Sequence, residues 1–451
     1  MVEGRGSVST GTSASYKRDN AFYALDKVER ILLDGYSLCD ACTGRLFGLR
    51  GYGLSNTERG RALKTLLIMK AFQASPRQAD LELLRVLART GFEPARELLK
   101  KLSGEDVEVK ACSICEGLTG RYYELALRAV EEAKSYEFNT FEVGVRIDAE
   151  VIRREEELWR RYGLESAESI RNEASREVGK IISKLTGKEY SRNNSELLII
   201  VDLSAGAIEL HPAPVFVYGR YRKYARGLPQ NPWPQPDERI KFNTSIEELI
   251  VKPALELFEA EKAKFHAAGR EDIDVRTLGT GRPFVLEIKK PRKRNIDLKV
   301  LAEKINSGAG GLIEVLDLAY TDRKTIKKLK SLASIAKKAY VARVKFEKPV
   351  DDEKLAEISK VFSNAVINQR TPTRVLHRRV DKLRKKIVYR LEARKISQDE
   401  VEFYLETQGG FYVKEFIHGD NGRTTPSIAE FLGNNVLSIE LDVVSIEETA
   451  A

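Results

Sequence analysis

The sequence predicts an α+β protein with more than one domain, and three observations carry that prediction. Apolar residues recur at helical spacing through much of the first 136 positions and again over 170–185. Short alternating or continuous apolar runs, such as those near 141–147 and 197–203, read as strands. The segment LPQNPWPQPDE at 228–238 holds four prolines and no periodicity, which marks a linker. At 451 residues the chain can bury two or three cores of about 150 residues each. The expected division is a polar tail at 1–20, one domain at 21–228 and a second at 229–451.

The elements follow in order. Residues 21–35 place Phe22, Leu25, Val28, Ile31 and Leu32 on one helical face, and Gly35 supplies the stop. Helices are predicted at 57–73 and at 79–102, the latter split near Gly91–Pro94, and from the second cysteine pair to about Tyr136. Phe141, Val143, Val145 and Ile147 alternate as a strand. Ile170, Ala174, Val178, Ile181, Ile182 and Leu185 form a long amphipathic helix ending at Gly187. Strands are read at 197–203 and 215–217. Beyond the linker come a helix at 246–263, strands around Asp274 and over 283–288, and helices at 298–307 and 323–336. Later strands are read at 339–346, 388–393, 400–407 and 411–416.

With 42% apolar and 32% charged residues, and no apolar run near the roughly 18 residues a membrane span needs, a soluble globular chain is expected. The first twenty residues lack the apolar core of a signal peptide, so a cytoplasmic location is expected. The formal charge is +9, and the stretch from Arg370 to Ile396 alone has eleven Lys/Arg against Asp381 and Glu392, a surplus equal to that of the whole chain. KKPRKR (289–294) and YGRYRKYARGLPQ (218–230) add two more basic runs, the second interleaved with aromatics that could stack on bases. A solvated helix face would explain any one of them; three together favour a nucleic-acid partner.

All four cysteines lie in two CxxC pairs, Cys39/Cys42 and Cys112/Cys115. Each tight turn aims two thiolates at one ion, and two such turns complete the tetrahedral shell of a structural zinc. His211, His266, His377 and His418 lie far from the cysteines in sequence, which argues against a hydrolytic zinc site of the deaminase type.

In GREDIDVRTLGTGRPF (269–284) charges crowd around Asp272, and a strand here would set Asp272, Asp274 and Arg276 on one face too polar for a core. An ion-pair network and a catalytic cleft both fit that pattern. The stretch resembles the Gly-Arg-x-Asp motif of pseudouridine synthases, in particular the zinc-containing archaeal and eukaryotic tRNA enzymes that modify the T-loop. CDACTGRLFG with GLSNTERG, VYGRYRKYARGLPQNPW, QRTPTRVLHRR and ETQGGFYVKEFIHGDNGRT resemble the same family, in chain order. Between Glu116 and Glu196 the resemblance is to a THUMP-type RNA-binding domain.

The resemblance implies a zinc-containing THUMP-like accessory domain followed by a catalytic domain with a mixed or antiparallel central sheet. It makes Asp272 the nucleophile of an isomerisation at tRNA uridines 54 and/or 55, in which the N-glycosidic bond breaks, the uracil turns over and C5 rejoins ribose C1′. Tyr340 and Tyr412, both on strand-like stretches, match substrate-contacting tyrosines, and Lys414 matches the basic partner of the catalytic Asp. Arg270, Arg276, Arg374, His377, Arg378 and Arg379 are expected near the cleft. No organic cofactor is implied, and a monomer is the default. Two other readings compete: a nuclease holding divalent ions on Glu271, Asp272 and Asp274, and a zinc-stapled tRNA-binding protein or chaperone without catalysis.

Overall fold

The computed structural model describes residues 23–49, 53–73, 78–233, 239–377 and 379–447. The polar tail, the centre of the proline-rich linker and Arg378 lie outside them. The chain separates into two compact units, residues 1–134 with 139–211, and residues 135–138 with 212–451.

The first unit begins with helices α1 (Tyr23–Leu33), α2 (Asp40–Arg45), α3 (Asn56–Ala71), α4 (Leu81–Arg89) and α5 (Glu93–Ser103). Ser55 caps α3 in a reciprocal box with Glu58, and Gly104 ends α5 in the left-handed conformation. After a 3₁₀ turn at Leu118–Arg121 come α6 (Tyr122–Ala133), β1 (Thr140–Arg146), α7 (Ala149–Tyr162), α8 (Ile170–Thr186), β2 (Glu189–Tyr190), β3 (Leu197–Asp202) and β4 (Ile208–Pro212). The four strands form one sheet in the order β2-β1-β3-β4, with β1 parallel to both β2 and β3. Helix α7 was not foreseen: its buried face is only Val151, Glu155, Leu158 and Tyr162, so charge hides the periodicity. A core of α1–α5 side chains also takes in Cys42, Cys112 and Cys115.

The second unit contains β5 (Val215–Lys223), α9 (Ile246–Phe258), β6 (Ala260–Ala267), β7 (Arg276–Pro291), α10 (Leu298–Gly308), β8 (Ile313–Thr321), α11 (Arg323–Ile335) and β9 (Lys338–Phe346). It continues through α12 (Asp352–Phe362), β10 (Ala365–Gln369), β11 (Arg384–Lys395), β12 (Glu400–Thr407), α13 (Val413–His418), β13 (Thr424–Thr425), α14 (Ile428–Leu432) and β14 (Val436–Ile446). Ten strands make one mixed sheet in the order β13-β10-β11-β12-β9-β14-β7-β5-β8, with β6 also paired to β7. The β14–β7 pair is parallel, whereas β9 runs antiparallel to both of its neighbours. One core joins α12–α14 to β9, β11, β12 and β14; another joins α9 and α10 to β5, β7 and β8.

Four sequence expectations change. The units divide at 211/212 rather than in the proline-rich stretch, because β5 pairs with both β7 and β8 and so belongs to the second sheet. The helix expected over 246–263 stops at Phe258, where Glu259 turns left-handed and β6 begins. The strand expected at 411–416 is helix α13, whose buried Val413, Phe416 and Ile417 follow helical spacing. The segment around Asp274 is a turn, and the ladder starts only at Arg276. Burial nevertheless alternates there, with Glu271, Ile273 and Val275 inside, which is how a turn imitates a strand in sequence.

Candidate active site and metal centre

In the first unit, Cys39 is the N-cap of α2 and its sulfur accepts from the Cys42 amide at 3.4 Å. Cys112 and Cys115 sit on a second turn, after which Glu116 and Gly117 both take positive φ. Reciprocal bonds from Ser113 N to Ser37 O (2.6 Å) and from Ser37 N to Ser113 Oγ (2.9 Å) pin the two turns together. The four Sγ atoms lie within 4.8 Å of one another, and Cys39 and Cys115 are 3.7 Å apart. A tetrahedron with Zn–S bonds of about 2.3 Å has sulfurs about 3.8 Å apart, so the set fits such an ion. The neighbouring cysteines hold the Cys39 and Cys42 thiols above their usual range; a cation would let all four ionise. Arg45 donates to Cys42 Sγ at 3.5 Å while pairing with buried Glu155 (2.8 Å) and Glu173 (3.0 Å). It thus orients a sulfur without adding unbalanced charge.

In the second unit, Asp272 lies in the loop between β6 and β7. Its Oδ1 accepts from Arg374 Nη1 at 2.9 Å, and its Oδ2 is 3.9 Å from Lys414 Nζ. Arg374 is held from behind by Glu415, 1% exposed, at 2.7 Å. Lys414 donates to Asp274 Oδ2 at 2.6 Å. Burial raises the Asp274 carboxyl, but Lys414 more than offsets this and holds it below the usual range. The direct partner of Asp272 is therefore the planar guanidinium of Arg374, and Lys414 serves both acids from the side.

Beneath the loop runs a buried network that the sequence reading did not assign. Fully buried Lys223 reaches from β5 to the carbonyls of Ile273 (2.7 Å) and Asp272 (3.2 Å). Burial pushes its ammonium down to about 8. Tyr221 Oη donates to Glu271 at 2.9 Å, Arg282 pairs with Glu271 at 2.7 Å, and Gln230 joins the Tyr221 hydroxyl to the Gly269 carbonyl. The basic-aromatic run from Tyr218 is thus half interior: Tyr221 and Lys223 point inward from a strand whose alternate residues are partly exposed. Alternation in YGRYRK was the available signal, masked by residue types rarely buried.

Tyr340, 8% exposed, lies on central strand β9. Burial pushes its phenol up to about 12; Arg282 opposes the shift and the Asp272 carboxylate adds to it. Tyr412 is the N-cap of α13, two residues before Lys414, and accepts from Arg379 at 3.2 Å. Arg276 is clamped to Asp442, its partner in the β7–β14 register, at 2.9 Å, and Arg226 binds the same carboxylate at 2.7 Å. Arg270 lies over the Trp233 ring at 5.0 Å. His377 is exposed. Glu271, Asp272 and Asp274 do not converge as ion ligands, since Glu271 is spent on Arg282 and Tyr221 inside the core and Asp274 on Lys414.

The family "Pus10, C-terminal" matches residues 216–447, and "Pus10 THUMP domain, archaeal" matches residues 125–202. The tRNA pseudouridine synthase Pus10 of Methanopyrus kandleri is 40% identical over 430 residues, spanning 92% of this chain and 97% of that protein. Its namesake from Methanothrix thermoacetophila is 39% identical over 424 residues, spanning 91% of each.

Proposed function

The chain belongs to the Pus10 family of tRNA pseudouridine synthases, and from that premise we propose that it isomerises uridine 54, uridine 55 or both in the T-loop of tRNA, with Asp272 as nucleophile. The observation that carries the reading is the Asp272 carboxylate held by Arg374 with Lys414 at its other oxygen. The two cations fix the direction of the carboxylate that would attack. The reaction breaks the N1–C1′ bond, joins C5 to C1′, and moves a proton from C5 to N1, so it is balanced without redox partner or organic cofactor.

Tyr340 would pack on the extruded uracil, and Tyr412 with Arg379 would contact the substrate from the start of α13. Arg270, Arg276 and His377 are proposed to lie along the RNA path, together with Arg378, which falls outside the described residues. The four cysteines would hold one structural zinc, stapling the α2 turn to the second CxxC turn. The THUMP-bearing part would grip the acceptor region, a backbone-dominated contact suited to folded RNA. No helix among the described residues is long and apolar enough to cross a membrane; a cytoplasmic monomer is proposed.

The test is incubation of the protein with an unmodified tRNA transcript, without nucleotides and with chelator present, followed by carbodiimide mapping of pseudouridine by reverse-transcription stops. Stops in the T-loop that vanish with Asp272→Asn are expected. Intact RNA without stops, bound equally by both proteins, would leave a zinc-stapled tRNA-binding protein.

A further inference from the structure

Lys338 opens β9, two residues before Tyr340 and on the same face of the strand. It is 8% exposed, and its ammonium has no hydrogen-bond or ion-pair partner among the described residues, while its Nζ is not among the side-chain atoms shut off from solvent. Its Nζ lies 3.4 Å from where a side chain on Gly269 would begin, with Arg282 Nη1 at 3.3 Å from the same point. Gly269, at φ +85°, opens the loop that carries Asp272. An unpaired ammonium thus sits at the base of the Asp272 loop with its end open to solvent, where a ligand could supply the missing acceptor.

The charged groups facing it are Arg282 and Glu271 from β7 and its preceding loop, and Lys386 from β11. Glu271 is already shared by Arg282 and Tyr221, and Lys386 donates to the Gly409 carbonyl at 2.6 Å. The neighbourhood therefore keeps a positive surplus that a neutral base carbonyl would not offset, whereas an anion would. We propose that Lys338 is a further substrate-binding residue, whose ammonium takes a phosphodiester oxygen adjoining the nucleotide drawn in beside Asp272 and Tyr340. The inference rests on the reading of the chain as a tRNA pseudouridine synthase. Burial, with Arg282 and Lys386 adding to it, pushes the ammonium down to about 7. The phosphate contact therefore strengthens as pH falls through neutrality, since only the charged form binds it.

The experiment uses the full chain and tRNAs assembled with one methylphosphonate linkage, 5′ or 3′ of the target uridine, reading binding and single-turnover pseudouridine formation separately. The wild-type protein should lose about tenfold in affinity on one neutral linkage, the range of a charge-assisted hydrogen bond. Lys338→Met should lose the same factor on all-phosphate tRNA, be indifferent to the neutral linkage, and bind without the decline above pH 7. Lys338→Arg should recover part of the loss. Unchanged binding by folded Lys338→Met, or its continued sensitivity to the neutral linkage, would overturn the proposal. Should Lys338→Met not fold, the wild-type protein decides: its affinity must lose the pH dependence on the neutral linkage, and retention overturns the proposal. Absence of pseudouridine from wild-type reactions counts against the isomerase reading and leaves the binding arms to judge Lys338.

Discussion

Lys223→Met separates holding the Asp272 loop from stabilising the fold, because its stability terms partly cancel. The native ammonium titrates near 8 against an ordinary 10.5, so keeping it charged inside the fold costs about 3 kcal/mol at neutral pH. Methionine removes that cost. It also orphans the carbonyls of Ile273 and Asp272, whose bonds to a charged donor contribute about 1.5–3 kcal/mol each. The net change at pH 7 should be a loss of no more than about 3 kcal/mol. The pH dependence is more telling. Between about pH 8 and 10.5 the native lysine has lost its proton while the unfolded one keeps it, so wild-type stability should gain up to about 1.4 kcal/mol per pH unit, a gain absent from the variant. With the loop untied, a shift of about 1 Å at Asp272 should slow single-turnover isomerisation about 100-fold, while tRNA affinity holds within about twofold because Lys223 is fully buried. Urea titrations from pH 7 to 10 and a rapid-quench assay measure both. An alkaline slope kept by Lys223→Met, or a wild-type isomerisation rate, would refute the reasoning.

Three further outcomes are expected. Metal analysis should find about one zinc per chain, and Cys42→Ser should bind almost none and melt at lower temperature, since three thiolates cannot close the shell. Arg282→Met leaves Glu271 charged and buried without its guanidinium and should destabilise the protein by about 3–5 kcal/mol in urea unfolding. Asp274, whose native pKa is depressed, contributes stability that is full above about pH 4 and is lost as acid passes the native value. Lys414→Met should remove most of that contribution, visible as a shallower loss of stability between pH 5 and 2 in parallel denaturation curves.

Some of this molecule is legible one residue at a time. The paired CxxC spacing points to its own cluster because each turn is local, and the fold brings the two turns together so that the four Sγ atoms lie within 4.8 Å of one another. Strands β9 and β12 announce themselves because apolar and polar residues alternate where one face is covered. Helix α8 shows through its 3.6 period and its glycine stop. The Gly-Arg-x-Asp stretch was visible as a charge cluster and a family resemblance, but its face was not. Asp272, Asp274 and Arg276 do not line a strand: the first is held by Arg374, the second by Lys414, and the third by Asp442 across the sheet. These partners stand 102, 140 and 166 positions away, and no local pattern encodes a contact at such separation. The same limit hid Lys223, Tyr221 and Lys338, whose polar ends invite a surface assignment until the sheet closes over them. Local spacing determined the four-cysteine cluster and most elements; only the folded sheet decided which cation meets which carboxylate, because that choice depends on strands and loops brought together after their own sequences have been read.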